Sequence, residues 1–236
     1  MLYLVGIGLN DEKDISIKGL EVVKSCDKAY LETYTSRLNC SIGDLEGLYG
    51  KKIKIADRDF VENKDLIIEE AKDENVALLI IGCVFGATTH IDLILRAKKE
   101  NVKVEVIDNL SILTAVGITG LQLYKFGVTT SIPFDNKNVR TPYEVFKKNY
   151  GNGLHTLFLL DLKGDKLMAV REALDYLIRL GLSEDQLVVG CGALGTKEYE
   201  IKVGKAKDVN INKSPQCLII PGKLHFMEED MLNTYR

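Results

Sequence analysis

The sequence predicts an α/β fold built as two domains, and three observations carry that expectation. Short runs rich in Val, Ile and Leu alternate with stretches of helical periodicity. Glycine-containing turns follow several of the runs, as they do where ligands approach the ends of parallel strands. Composition supplies the core: 46% of the 236 residues are apolar and 28% charged, outside the range of disordered or fibrous chains. A chain of this length makes one large domain or two of about 100 to 130 residues. A junction within 108–111 divides it into an N-terminal α/β domain at 1–108 and a C-terminal α/β domain with a mixed sheet at 109–236.

In order, strands are predicted at 2–7, 28–32, 52–56, 76–83 and 102–107, and then at 128–132, 156–162, 186–189, 198–203 and 217–220. Helices are predicted at 17–25, 42–48, 64–72, 88–100, 112–123, 143–149 and 167–180. The 88–100 helix has Ile91, Ile94 and Leu95 as its apolar stripe, His90, Asp92, Arg96 and Lys99 off it, and Thr88 or Thr89 as its cap. Strand–helix alternation implies parallel pairing in the first half. The 198–203 and 217–220 strands read as an antiparallel addition in the second.

Thirty-one basic against 34 acidic residues, a net charge of −3, argues against a phosphate-tracking surface, so no direct nucleic-acid contact is expected. The longest apolar run, 76–87, is well short of the about 20 residues of a membrane span. Met1 leads directly into Leu2-Tyr3-Leu4-Val5 with no basic region or cleavage motif, so a cytoplasmic protein is expected. Five cysteines with no C-x-x-C pair fit reduced thiols. His90, His155 and His225 are too far apart for a short metal-ligand spacing, and no metal is expected.

Three turns are candidate ligand loops. Gly6-Ile7-Gly8-Leu9-Asn10-Asp11 lacks the third glycine of a dinucleotide fingerprint, and a bare tight turn satisfies it equally. Gly82-Cys83-Val84-Phe85-Gly86-Ala87-Thr88-Thr89-His90 follows the most apolar strand, and no Gly-Lys-Ser/Thr makes it a P-loop. His90 reads as an exposed or capping residue in preference to a base. Asp108-Asn109-Leu110-Ser111-Ile112 passes from strand to helix through polar residues, with helix capping by Ser111 as the alternative to ligand binding. No hydrolytic triad, Cys–His pair or carboxylate pair stands in a recognisable context.

The segments MLYLVGIGLND, DISIKGLEVV, LETYTS, GATTH, GLQLYKFG, HTLFLLDLK and LHFMEEDML, spread in order from Met1 to Met231, resemble the diphthine synthase family. That family lies in the tetrapyrrole-methylase class of S-adenosylmethionine-dependent methyltransferases. The resemblance implies two α/β domains of that type with S-adenosylmethionine in the interdomain cleft, S-adenosylhomocysteine as product, and a homodimer. It implies as substrate the 3-amino-3-carboxypropyl-histidine of translation elongation factor 2, methylated on its amine in diphthamide biosynthesis. Carried over position by position, the donor contacts fall on Leu9, Cys83, Gly86, Ser111, Ile112, Leu160, Gly192, Ala193 and His225. The chain has Gly82-Cys83-Val84 where the family usually has G-D-P, Asn10 where it has glycine, Gly192-Ala193 where it has an Ala-Arg pair, and His225-Phe226 where it has His-Pro. Two other readings stand beside this one: a catalytically weakened homologue that binds the donor or the elongation factor, and a tetrapyrrole C-methyltransferase of the same fold.

Methyl transfer from a sulfonium to an amine needs alignment and a deprotonated nitrogen, so positioning and desolvation suffice and no obligatory catalytic side chain is expected. Lys125 and Arg140 are candidates to meet the substrate's carboxylate, and Tyr34 to line the cleft.

Overall fold

The computed structural model describes residues 1–236. The chain packs into two compact units, Met1–Ile112 and Leu113–Arg236.

In the first unit the elements run β1 (Leu2–Gly6), α1 (Ile17–Ser25), β2 (Lys28–Glu32), α2 (Ile42–Tyr49), β3 (Ile53–Ala56), α3 (Arg58–Glu62), α4 (Leu66–Asp73), β4 (Val76–Ile80), α5 (Ile91–Lys99) and β5 (Val104–Ile107). The five strands form one sheet in the order β3-β2-β4-β1-β5, every pair parallel. Central β4 reads Val-Ala-Leu-Leu-Ile and is buried throughout, the uninterrupted apolar run of a strand covered on both faces. One face packs under Val61, Ile67, Ile68, Leu93 and Ala97, the other under Val23, Leu45 and Tyr49.

The second unit contains α6 (Ile112–Ala115, which begins at the boundary), β6 (Thr130–Ile132), α7 (Thr141–Gly151), β7 (Thr156–Leu160), the small hairpin β8 (Leu162–Lys163) and β9 (Lys166–Leu167), α8 (Val170–Arg179), β10 (Leu187–Gly192), β11 (Glu200–Lys205), β12 (Gln216–Ile220) and α9 (Phe226–Asn233). Its main sheet has the order β11-β10-β12-β7-β6, antiparallel except for β6 against β7. β11 and β12 are antiparallel additions as expected, but each pairs with β10, which lies between them, and not with the other.

Several expectations need correction. The 88–100 helix starts only at Ile91, because Ala87 takes φ 60° and the Thr88 and Thr89 hydroxyls donate to Val84 O and Glu62 Oε1 instead of capping. His90 stands at the cap position without a capping bond. The stripe is also displaced: Leu93 and Ala97 are buried, while Ile91 and Leu95 are 57% and 54% exposed. His90 is 1% exposed, so it is neither a surface nor a capping residue. The 112–123 helix stops at Ala115 and continues as a 3-10 turn over Val116–Thr119, because Gly120 sits at φ 85°, outside helical space. The strand expected at 186–189 runs on to Gly192, since Gly190 and Gly192 let the 209–213 segment lie directly on it. A Cβ on Gly192 would be 2.5 Å from Lys213 O. α3 and α9 are too short and too charged for periodicity to find.

One polar knot closes the second unit. Glu228 of α9 is fully buried, and its carboxylate accepts from Gln122 N (2.9 Å), His225 N (2.7 Å), His155 Nε2 (2.9 Å) and Lys125 Nζ. His155 Nδ1 in turn accepts from Gly222 N at 3.0 Å, which fixes the proton on Nε2. Burial opposes the charge on Glu228, but Lys125, the two amides and His155 outweigh it and hold the carboxyl at about 2. His155 is held below its ordinary value, chiefly by burial, with Glu228 pulling the other way. Both depressions contribute stability that is present near neutrality and lost with acid. The His155 share declines below about pH 6.5, and the Glu228 share from about 4.3 down to 2. Glu228→Gln is expected to cost about 3 kcal/mol at pH 7, the equivalent of holding a carboxyl that far below its ordinary range, and to flatten the acid limb of a denaturation series between pH 4.5 and 2. An unchanged acid limb would show that the network does not set it.

Candidate methyl-donor site

The three candidate turns leave the carboxyl ends of β1, β4 and β5, which are neighbours in one sheet. There the backbone binds itself into a single rim. Gly8 N donates to Gly82 O at 3.3 Å and Gly82 N to Gly8 O at 2.7 Å, an antiparallel bridge between loops that follow parallel strands. Both glycines have positive φ, 83° and 86°. Asn109 Nδ2 donates to Gly6 O (3.1 Å) and Asp14 O (2.9 Å), joining the third turn to the first. Asp14 Oδ2 accepts from the amides of Leu9 and Asn10.

This rim gathers the first-unit residues that the family resemblance singles out. Leu9 Cδ2 lies 3.6 Å from where a Cβ on Gly82 would stand, and a Cβ on Gly86 would lie 2.5 Å from Ser111 Oγ and 2.6 Å from Cys83 Sγ. Gly86, Cys83 and Ser111 thus converge on a point with room for backbone only, with Ile112 directly following Ser111. Beside that close packing the turns present backbone amides and carbonyls, the groups that approach a flat, uncharged ring system. Asp108 opens the third candidate turn, but the sequence gives it no role of its own. Its Oδ1 accepts from Val84 N (3.3 Å) and Asn109 N (3.1 Å), which places a carboxylate on the turn next to Cys83. Only the three-dimensional meeting of two turns reveals it.

In the second unit, Leu160 ends β7 and Gly192 ends β10. Both strands run antiparallel to the β12 between them, so these ends share an edge. Ala193 follows at φ 51° with its N–H donated to Pro215 O at 2.8 Å. His225 is elsewhere: it caps α9, its Nδ1 accepting from Met227 N at 3.3 Å, beside the His155 end of β7. Lys125 is committed to Glu228 and to Lys223 O. Arg140 is 64% exposed with only a 3.9 Å contact to Glu144. Tyr34 is half-buried under the Arg58 guanidinium, 5.2 Å from its ring centre. A cavity of about 220 Å³ opens beside α3 and α5, bounded by Glu62, Thr89, His90, Asp92 and Arg96 among others. None of the rim residues lines it.

The model of the family Tetrapyrrole (Corrin/Porphyrin) Methylases matches residues 1–210. A diphthine synthase of Methanocaldococcus jannaschii is 44% identical over 250 residues, covering 98% of this chain and 97% of its own. A human diphthine methyl ester synthase is 41% identical over 270 residues, covering 100% and 95%. A crystal structure of a diphthine synthase superposes with a TM-score of 0.94 at 36% identity, over 99% of this chain and 95% of that one. The family model over residues 1–210 and the relatives and fold over the full length agree: the chain belongs to the tetrapyrrole methylase family, in its diphthine synthase group, and is a methyltransferase.

Proposed function

We propose that the protein is an S-adenosylmethionine-dependent diphthine synthase that methylates the 3-amino-3-carboxypropyl-histidine of elongation factor 2. The observation that carries the donor assignment is the Gly86–Cys83–Ser111 cradle on the Gly8–Gly82 rim, since it gathers Leu9, Cys83, Gly86 and Ser111 at one sheet edge. Ile112 is the further first-unit contact proposed, and Leu160, Gly192 and Ala193 those of the second unit; His225, set at the opposite end of β7 as the cap of α9, is left out. Bound to the rim, the donor supplies a sulfonium methyl carbon open to displacement. The residues of the chain hold and dry the reacting groups, which supplies several kcal/mol through alignment alone. Asp108 offers Oδ2, free of protein partners, to a donor hydroxyl or ammonium on the turn next to Cys83. Arg140 is the open cation for the substrate carboxylate, because Lys125 is already neutralised by Glu228.

Two further features of the reading concern assembly and place. Exposed apolar side chains at Tyr124 (81%), Val128 (65%), Phe226 (64%) and Met227 (58%) suit a homodimer. No helix is long and apolar enough to cross a membrane, which accords with a cytoplasmic enzyme.

The relatives' names favour a second reading of the product. A methyl ester synthase at 41% identity stands beside a diphthine synthase at 44%, so the reaction ends either at the methylated amine or at that amine plus a methyl ester. Incubation with S-adenosylmethionine and the modified factor is expected to add methyl units by mass spectrometry, and calorimetry to show binding of both donor and S-adenosylhomocysteine. Loss of one methyl unit on mild alkaline treatment identifies the ester product. Donor binding with no mass gain would leave a non-catalytic binder, and no binding would sink the assignment.

Three substitutions probe the rim. Gly86→Ala should weaken donor binding by at least about 10-fold, roughly 1.4 kcal/mol, because its Cβ meets Ser111 and Cys83; an unchanged titration would remove the cradle from the site. Cys83→Asp should tighten donor binding, and Asp108→Asn should loosen it in the unaltered background but much less in the Cys83→Asp one. A charged hydrogen bond is worth about 1.5 to 3 kcal/mol, so additive effects in this cycle would mean that the two positions do not serve one ligand group.

A further inference from the structure

Val84 stands near the start of the 82–90 turn and is held on three sides. Its side chain is 0% exposed, in the core cluster that contains Leu93 and Ala97 of α5. Its N–H donates to Asp108 Oδ1 at 3.3 Å, towards the third turn of the rim. Its carbonyl accepts twice, from Thr88 Oγ1 at 2.8 Å and, on the buried side, from His90 Nδ1 at 3.1 Å, which fills both lone pairs of the oxygen. Because Nδ1 faces a carbonyl, it carries the ring proton.

The two bonds to Val84 O are not equivalent. Thr88 lies on the same turn, four residues on, and is half-buried, so its hydroxyl closes the turn on itself and moves with it. His90 is 1% exposed and stands where α5 begins, fixed to the frame of the first unit. Its Nε2 faces Glu32 Oε2 at 4.0 Å, and that carboxylate at the end of β2 is held by Tyr34 N (2.7 Å), Thr35 N (2.8 Å) and Thr35 Oγ1 (2.6 Å). The turn needs such an anchor. Gly82 and Ala87 take φ 86° and 60°, and at Ala87 a residue with a Cβ occupies left-handed space, which the backbone alone disfavours. Between them Cys83 and Gly86 approach so closely that a Cβ on Gly86 would lie 2.6 Å from Cys83 Sγ. A Val84 free to rotate would leave Asp108 and open that approach.

We propose that His90 is the positioning residue of the methyl-donor turn. By donating Nδ1–H to Val84 O it keeps Val84 oriented, so that the Val84 N–H stays on Asp108 and Cys83 and Gly86 hold their places beside Ser111. The inference rests on the donor assignment proposed above and deepens it. His90 touches neither reactant, and no proton moves. Its effect is pre-organisation: a turn already held in its binding conformation loses less freedom when the ligand arrives. Thr88 still satisfies Val84 O when the imidazole is gone, so removing His90 leaves no buried carbonyl unpaired. The turn loosens and the fold survives.

Two variants separate positioning from packing. His90→Leu removes the N–H given to Val84 O and keeps an apolar side chain of similar bulk, whereas His90→Asn restores an amide N–H at the place of Nδ1. By calorimetry, affinity for S-adenosylmethionine and S-adenosylhomocysteine is expected to fall about 10-fold in His90→Leu, the worth of one neutral hydrogen bond. In His90→Asn it should stay within about two-fold, although the smaller polar side chain gives the lower melting temperature. Steady-state kinetics of His90→Leu should show the same split, with KM for the methyl donor raised and kcat little changed. Without methyl donor, the Val84 amide should exchange its hydrogen about 10-fold faster in His90→Leu and at the unaltered rate in His90→Asn, with the Leu78 and Leu79 amides of β4 unaffected. Affinity lost equally in both variants would make His90 a packing residue and overturn the inference, as would unaltered affinity and Val84 exchange in His90→Leu. Should His90→Leu fail to fold, the unaltered protein decides: an Nδ1–H resonance that shifts when methyl donor is added supports the assignment, and a resonance that stays still or a ring proton on Nε2 overturns it. If the unaltered protein binds no methyl donor, the proposed function fails by itself, and the Val84 exchange in the two variants alone decides the role of His90.

Discussion

The reciprocal hydrogen bonds between Gly8 and Gly82 are the constraint on which the first unit's ligand rim depends. Parallel strands leave their loops independent, since each chain departs towards its own helix. Here two loops turn back and pair with each other at the sheet edge, and only residues without a Cβ reach the required φ without strain. With that bridge in place Leu9 is carried against Gly82, and Asn109 fastens the third loop to Gly6 O, 103 residues earlier in the chain. Three segments far apart in sequence thereby present one surface.

Much of the fold is legible in the amino acids. β4 is an unbroken apolar run because both faces of its sheet are covered, and α1 and β2 begin and end where the sequence places them. What escapes is governed by contacts between distant residues. Ile91 and Leu95 satisfy helical spacing yet face outward, because the side chains that meet α3 and the sheet are Leu93 and Ala97. Glycines inside β10 read as a stop, although they are there to admit the 209–213 segment. A single sequence contains the periodicity but not the neighbour that chooses between two possible faces.

The candidate site divides in the same way. Spacing and resemblance point to the glycine turns, and the structure gathers Leu9, Cys83, Gly86 and Ser111 at the edge of one sheet. Asp108 gains its position from Val84, a residue on another loop. His90 is unreadable as a lone histidine, because its interest comes from the Val84 carbonyl that its ring meets inside the fold. Lys125 shows the converse: a lysine in a suggestive motif turns out to neutralise a buried glutamate.

The Glu228 knot also orders events in time. Its bonds reach back 106 residues to Gln122 and 73 to His155, so none of them forms until α9 has left the ribosome. Up to that moment the Lys125 side chain and His155 Nε2 lack their carboxylate and the Gln122 amide its acceptor, while the all-parallel sheet of the first unit is already complete in the emerged chain. A nascent second unit therefore waits, loosely collapsed, for its final helix, and a chain cut before Phe226 is left with an unfinished domain instead of a slightly shorter one.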